Sequence, residues 1–514
     1  MMRLVTRKLI DFAFSSIGIV AILIMTAAVL VILVPIFAKG SGAVVFKATV
    51  EHRRLLLDHF GRGDRSKVMA EVAETAKARQ PVYDLMNKYK NDTFAALNQV
   101  RPVIEDIAKL DDSLGRRVTR RLRRLDEKDT LANKLNVFRN ICETIKESKY
   151  YDELRDKLVE INHVVNTIER QSSEFVLLEE AVRNLLGPFP GEPTPSLIRK
   201  QYGQTRWDRA QVKIHEILFS ESWDYSDPDK MGQKNETPRR DFFRGTELEP
   251  IFEYIEQNAV AMLHPRLTFY GGFFTDSPKD SHIFGGILPE LLGTIYLTIG
   301  AMLFSLPMGI IAAIYFTEYA TDGPVIRLLR TCVSTLAGVP SIIFGLFGLA
   351  FFINTMHIPK SVLAGSLTLA ILVLPTIIRA SEEAIMAVPN TFREAALSLG
   401  AGKWRTIVTV ILPAALPGIL TGIVISMGRA AGETAPIIFI AVVSVGKALK
   451  PLETLFQQTP ALSWNIYNLC TEHEAVDEIR HVQFGMVAVL VLLVLILNAV
   501  AIVLRARVSK KLKG

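Results

Sequence analysis

Cysteine is scarce in this sequence. There are three in 514 residues, Cys142, Cys332 and Cys470. Only Cys142 falls in the long charged stretch between about residues 45 and 260, so no disulfide framework can form there. So few cysteines are compatible with an oxidising compartment without requiring one. The phosphate-cradling pattern G-x-x-x-x-G-K-[ST] is missing, so the chain is not expected to bind and hydrolyse ATP by itself. Also missing are a G-x-S-x-G elbow, an H-E-x-x-H pair and any clustered Cys/His spacing, which removes the usual grounds for a hydrolase or zinc reading. Neither a cofactor nor a resident metal is expected. The densest polar cluster, Thr471 to Glu478 with His481 close by, reads as a solvated acidic loop, with a metal site as its alternative.

The composition is 49% hydrophobic and 22% charged, and the two kinds of residue are segregated. Apolar runs lie at the N-terminus and through the C-terminal half, and charges fill the region between them. That is the layout of a membrane domain interrupted by a soluble insert. The net charge of +7 is assigned to Lys and Arg flanking membrane spans rather than to nucleic-acid binding. A span needs about 20 mostly apolar residues. Candidates are Phe12–Phe37, Ile287–Phe316, Leu328–Ile353, Val362–Ile378, Ile407–Val442 and Val482–Leu504. The first is longer than the roughly 7–15 residues of a signal-peptide core, so it reads as a retained span. The fifth is too long for one straight helix, and a break is expected near Gly432.

Basic residues orient the spans. Arg3, Arg7 and Lys8 precede the first. Arg327 and Arg330 follow the second, and Arg379, Arg393, Lys403 and Arg405 follow the fourth. Arg505, Arg507, Lys510, Lys511 and Lys513 close the chain. All four patches fall on one side, so both termini are expected in the cytoplasm and the insert outside it. The expected domains are 1–39 (cytoplasmic tail and first span), 40–284 (extracytoplasmic, largely helical insert), 285–508 (transmembrane domain) and 509–514 (cytoplasmic tail). In the insert, Leu154, Leu158, Ile161, Val165, Ile168, Phe175 and Val182 keep a three-four spacing, the stripe of one helix face. Leu97, Ile104, Ile107, Leu114, Val118 and Leu122 supply a partner helix, giving a helical hairpin or short coiled coil. Gly187 to Pro195 reads as a helix-breaking linker.

Two segments carry chemistry. The first runs from Arg393 through Glu394, Ala395, Ala396, Leu397 and Gly400 to Pro413. It reads as a short amphipathic helix whose small alanines admit another surface, ended by Gly400 in a left-handed backbone. The bland reading is an interfacial helix with no partner. The second is Arg429-Ala430-Ala431-Gly432-Glu433-Thr434-Ala435-Pro436. A charge at the bilayer centre costs about 2.5–3.5 kcal/mol on insertion scales and is rare without a reason. Arg429 and Glu433, four apart, either neutralise each other as a structural pair or line an anion path. Arginine suits a phosphate because its planar fork offers parallel donors. Glu433 would repel a bare dianion, which makes it a gate that holds Arg429 while the path is closed.

The first segment resembles the coupling loop of ABC importer permeases, E-A-A-x-x-x-G-x9-I-x-L-P. Glu394, Ala395, Ala396, Gly400, Leu412 and Pro413 match it, and Val410 stands where the pattern has Ile. The second resembles the R-A-x-G-E-T-A-P segment of phosphate importer permeases. Gly338-Val339-Pro340-Ser341-Ile342-Ile343-Phe344-Gly345-Leu346 is similar to their G-[VI]-P-S-[IV]-x-x-G-L segment, and Gly285–Thr294 to their entry into the second span. The likeness is greater to the PstA-type subunit than to its PstC-type partner, and the insert departs from the compact family pattern.

The resemblance implies an all-α membrane protein with about six transmembrane helices of the type I ABC importer permease (MetI-like) fold. It also implies inorganic phosphate as cargo, a separate PstB-like ATPase docking on residues 391–402, a PstC-like second permease and a periplasmic PstS-like phosphate-binding protein. A place in the bacterial cytoplasmic membrane follows, in contact with lipid and not with nucleic acid. Pro340, Ser341, Arg429, Glu433 and Thr434 are the implied path or gate. In the implied cycle, the ATPase moves the loop around Glu394 and the helices behind Pro413 rock with it. A permease for another oxyanion, such as sulfate or molybdate, is an alternative that the coupling loop fits equally. A transmembrane sensor is the other alternative, but it needs neither four further spans nor a coupling loop.

Overall fold

The computed structural model describes residues 2–109, 112–122, 131–147, 151–224, 232–321, 323–450, 453 and 455–513. It divides into two compact units, Met1–Val45 with Phe269–Gly514, and Phe46–Thr268. The expected insert of 40–284 is thus longer than the compact unit. Residues 269–284 group with the membrane half because Phe273 packs against Gly485 and the Tyr270 N–H donates to the Val44 carbonyl at 2.7 Å.

The membrane half begins with α1 (Met2–Ser41), whose apolar faces are almost wholly exposed. In the insert, α2 (Val50–Phe60), α3 (Arg65–Ala108), α4 (Asp112–Leu122), α5 (Leu131–Lys146), α6 (Tyr151–Leu186), α7 (Ile198–Tyr202), α8 (Trp207–Leu218) and α9 (Pro250–Leu263) follow one another. Strands Phe219–Asp224 and Gln233–Pro238 form an antiparallel hairpin between α8 and α9. The core joins α3 (Val82, Met86, Tyr89), α6 (Phe175, Leu178, Val182), Phe243 and α9 (Ile251, Phe252, Ile255). It is therefore a multi-helix domain rather than the expected hairpin. Of the expected stripe, Leu158, Ile161, Phe175 and Val182 are buried, as are Ile104 and Val118 of its partner. The side chains of Leu154, Val165, Ile168, Leu97, Ile107, Leu114 and Leu122 lie outside the described residues. The expected linker is a packed loop. Glu192 accepts from both terminal nitrogens of Arg183 at 2.6 and 2.7 Å, and Phe189 meets Tyr83 edge-on.

The chain re-enters the membrane half in α10 (Leu288–Ile314), extended by a wider turn over Tyr315–Tyr319. Then come α11 (Pro324–Ala337) and α12 (Ser341–Gly348), which continues to Thr355. After them run α13 (Val362–Met386), α14 (Asn390–Ser398), α15 (Lys403–Thr406), α16 (Leu412–Gly432), α17 (Ala435–Ile438), α18 (Leu462–Thr471) and α19 (Arg480–Lys513). Among the described residues, five segments are long and apolar enough to cross a membrane. A sixth is the pair Pro324–Ala337 and Ser341–Thr355, bent by 103°. The sequence reads this pair as one span. The turn falls at Gly338 to Pro340, where proline withholds a backbone donor and fixes its own φ.

The pair must carry the chain across. Gly300 of α10 abuts Ser366 of α13, and Gly309 abuts Ile377, so α10 and α13 run parallel. Two parallel spans in sequence need a return between them, and α11 with α12 supplies it. The next contacts are antiparallel: Gly418 of α16 sits on Ala384 of α13 and Gly422 on Ala380. Small residues spaced by four let two membrane helices approach closely, where dispersion rather than the hydrophobic effect drives packing. Gly40 at the end of α1 meets Phe484 and Ala488 near the start of α19, again antiparallel. With six passes, the far ends of α1 and α19 share a side with α14.

Candidate functional site

Two places gather the residues that the sequence singles out. The first is α14 with the turn after it. Pro389 precedes the helix, and at its end Gly400 takes φ +84°. There the Gly400 N–H donates to the Leu397 carbonyl and the Ala401 N–H to that of Ala396, closing the last turn as expected of a left-handed cap. Ala396 is buried, whereas Glu394, Ala395, Leu397 and Gly400 are exposed. Leu397 is 53% exposed, Leu399 90% and Phe392 49%. An apolar cluster of this kind on a charged loop is unusual unless something covers it. Phe392 and Leu399 were not singled out in the sequence, although large apolar residues bracketing the alanines are the signal for them.

The underside of α14 is fastened. Arg393 donates to Glu318 Oε1 through Nε (3.0 Å) and Nη2 (2.9 Å), to the carbonyls of Val388 (2.7 Å) and Ile385 (3.0 Å), and to Asn390 Oδ1 (3.2 Å). Glu318 stands 75 residues away and escapes local reading. Its one signal is a carboxylate at the end of an apolar run.

The second place is the broken end of α16. The helix stops at Gly432, as expected, and Glu433 is extended. Arg429 Nε lies 3.1 Å from Glu433 Oε1, with both side chains partly exposed. The Ser463 hydroxyl donates to the Glu433 carbonyl at 3.2 Å. Thr434 leads into α17, which contains Pro436, and Gly345 of α12 is seated against Ala435 and Pro436 so closely that a side chain there would make its neighbours give way. Val339, at the elbow, packs on a cluster containing Ala430 and Ile437. The two segments picked out from the sequence therefore meet. Among the described residues no hydrogen bond joins Ser341 to Arg429 or Glu433. Pro340 caps the start of α12 rather than facing the pair through any described polar contact.

A third polar group lies in the first turn of α10. His282 Nε2 is 2.8 Å from Glu290 Oε1, which also accepts from Asn465 Nδ2 at 3.0 Å, and all three side chains are buried. The acidic loop near His473 does not gather metal-like ligands among the described residues, and His473 instead meets the Ser281 carbonyl at 2.9 Å. His215, Glu221 and Glu236 of the insert do converge. Lys234 already pairs with both carboxylates there, so a cation occupies that charge.

Residues 305–514 match the family model described as the binding-protein-dependent transport system inner membrane component. A probable ABC transporter permease protein of Bacillus subtilis, YqgI, is 32% identical over 272 residues, 51% of this chain and 90% of its own length. The phosphate transport system permease protein PstA 1 of Mycobacterium tuberculosis is 36% identical over 221 residues, 43% of this chain and 71% of its own. The phosphate transport system permease protein PstA of Haemophilus influenzae is 35% identical over 168 residues, 33% and 59% respectively. The family model begins at residue 305, so residues 46–268 lie outside it.

Proposed function

Because the chain belongs to the binding-protein-dependent transport system inner membrane components, and so is a multi-pass permease of the inner membrane, we propose that its cargo is inorganic phosphate, moved inward by alternating access. The observation that carries the phosphate reading is the Arg429–Glu433 pair at the break of α16, just ahead of the Ala435–Pro436 segment that abuts Gly345, in a chain whose relatives include phosphate transport system permeases. A planar guanidinium half-open to solvent offers an oxyanion parallel donors. In the resting arrangement Glu433 holds it. When the path opens, phosphate competes for the same donors, and Glu433 must part from Arg429 for the anion to pass. Pro340, Ser341 and Thr434 belong to the elbow and break that shape this place.

ATP hydrolysis falls to a separate PstB-like ATPase that docks on α14. Glu394, Ala395, Ala396, Leu397 and Gly400, together with Phe392 and Leu399, form the docking surface. A PstC-like second permease and a PstS-like phosphate-binding protein complete the complex. The basic patches support a cytoplasmic side for both termini and α14, with the chain leaving α1 and re-entering α10 on the periplasmic side. The test is uptake of radiolabelled phosphate by cells deleted for this chain. Restoration by the wild type and loss of at least about a hundredfold with Arg429→Gln, at equal membrane abundance, is the expected result. Normal uptake in the deleted cells ends the phosphate reading, and full uptake with Arg429→Gln leaves the pair merely structural.

A further inference from the structure

Three contacts fasten the α14 turn to the membrane helices. Arg393 is the strongest: one guanidinium reaches Glu318 at the end of α10, the carbonyls of Ile385 and Val388 at the end of α13, and Asn390 at the start of α14 itself. The pair is largely withdrawn from solvent, with side-chain exposures of 19% for Arg393 and 10% for Glu318. On the other arm of the turn, the Lys403 ammonium lies 4.8 Å from the centre of the Tyr319 ring, one residue beyond Glu318. Under both arms, Ala313 and Ile314 of α10 pack with Ile385, Val388, Ile407 and Ile411. Both arms therefore grip the same wide turn, Tyr315–Tyr319. The α14 face bearing Leu397 and Leu399 is left outward.

We propose that Arg393 is a positioning residue that ties α14 to α10 and α13, so that a displacement of α14 moves those two helices instead of being lost in a hinge at Pro389 and Gly400. This rests on the reading of α14 as the ATPase docking helix. It shifts the route of force from the one expected from sequence, through Pro413 into α16, to one through Glu318 into α10. From there the route is continuous. α10 and α13 are in register where Gly300 and Gly309 leave no gap, and at their far ends Gly365 abuts Ala441 and Gly293 abuts Pro460, the segment beyond the break of α16. Packed cores pass on such shifts because they are close to incompressible. Lysine cannot replace arginine here, since a single ammonium cannot hold several acceptors in a planar fork.

The experiment uses the whole complex in lipid, with ATPase retained, ATP hydrolysed and inorganic phosphate moved all measured on the same preparation. With Glu318→Gln and with Arg393→Lys, the ATPase is expected to stay at the wild-type ratio while phosphate moved per ATP falls at least about tenfold. An unchanged ratio of phosphate to ATP in both variants overturns the tie, as does loss of the ATPase from both. Failure of both to accumulate as folded protein also overturns it, because the pair is then structural alone. Arg393→Lys keeps the charge and carries the test where Glu318→Gln does not fold. Ala395→Glu, run alongside, probes the docking reading separately: an ATPase that stays bound to it sinks the docking, whatever Glu318→Gln does. A wild-type complex that hydrolyses ATP but moves no phosphate sinks only the choice of cargo.

Discussion

The membrane half and the insert solve packing by opposite means. In the insert, large side chains close a dry centre. Phe243 is fully buried between Tyr89 and Phe252, with ring centres 5.8 and 5.9 Å away, and charges stay outside or in pairs such as Arg239–Glu174 at 2.8 Å. In the membrane half, the helices come closest over glycine and alanine, with larger side chains such as Leu369 and Val373 buried between those contacts, and many large apolar residues of α1, α12 and α19 face outward. Within the membrane half, exposure therefore means different things in different places. An exposed leucine on α1 is solvated by lipid, whereas exposed Leu397 of α14, at the end of the same bundle, lies in a charged loop and belongs to the proposed docking surface. The driving force differs too, since removing apolar surface from water stabilises the insert but not contacts between lipid-soaked helices.

That contrast can be broken by substitution. Phe243→Ala should destabilise the insert by about 3–5 kcal/mol, through lost burial and the cavity left behind. Hydrogen exchange on the full chain should show the loss confined to residues 46–268, and equal loosening of α10 or α13 would mean the two units do not fold by separate rules. Gly422→Val should cost the membrane half about 1–3 kcal/mol by forcing α16 away from Ala380, read as a lower unfolding midpoint in detergent. A neutral result would show that close approach is not what holds α13 to α16.

Near neutral pH a further, small effect separates the two regions, and it grows as the pH falls. Burial, and then the neighbouring Arg206 and Arg53, push the His52 imidazole of the insert down to about 3. Its folded value is therefore depressed below the usual 6.5. Between those limits the unfolded chain binds the extra proton, so stability is intact above about pH 6.5 and falls as pH drops, by about 1.4 kcal/mol per unit. His52→Gln should flatten the insert's acid sensitivity over that range while leaving the membrane half unchanged. An unaltered pH profile would assign the sensitivity elsewhere, with Glu51 an unsuitable source, since burial raises its carboxyl and a proton there favours the folded state.

Much of the membrane half was legible because its signals are local. Runs of apolar residues mark the spans, Gly432 marks the break in the fifth, and Gly400 takes the left-handed turn expected of it. The 103° bend at Gly338–Pro340 was not legible, since hydropathy averages over a window and a bent pair scores like a straight helix. Nor was the grip of Arg393 on Glu318, which depends on two helix ends brought together by the parallel packing of α10 and α13. The insert was read as a hairpin because a helical stripe names its own face and not what covers it. Phe243 and α9, which complete that core, lie more than one helix away from the stripe.

The claim on which the rest depends is that α14 is the face through which an ATPase acts. Affinity purification of the tagged chain from cells, wild type against Ala395→Glu, tests it most directly. If α14 is that face, the wild type brings an ATPase subunit with it, and Ala395→Glu, inserted in the membrane at equal yield, brings at least about tenfold less, because a charged side chain replaces the small exposed methyl where the two surfaces must touch. An ATPase recovered equally with both would contradict it.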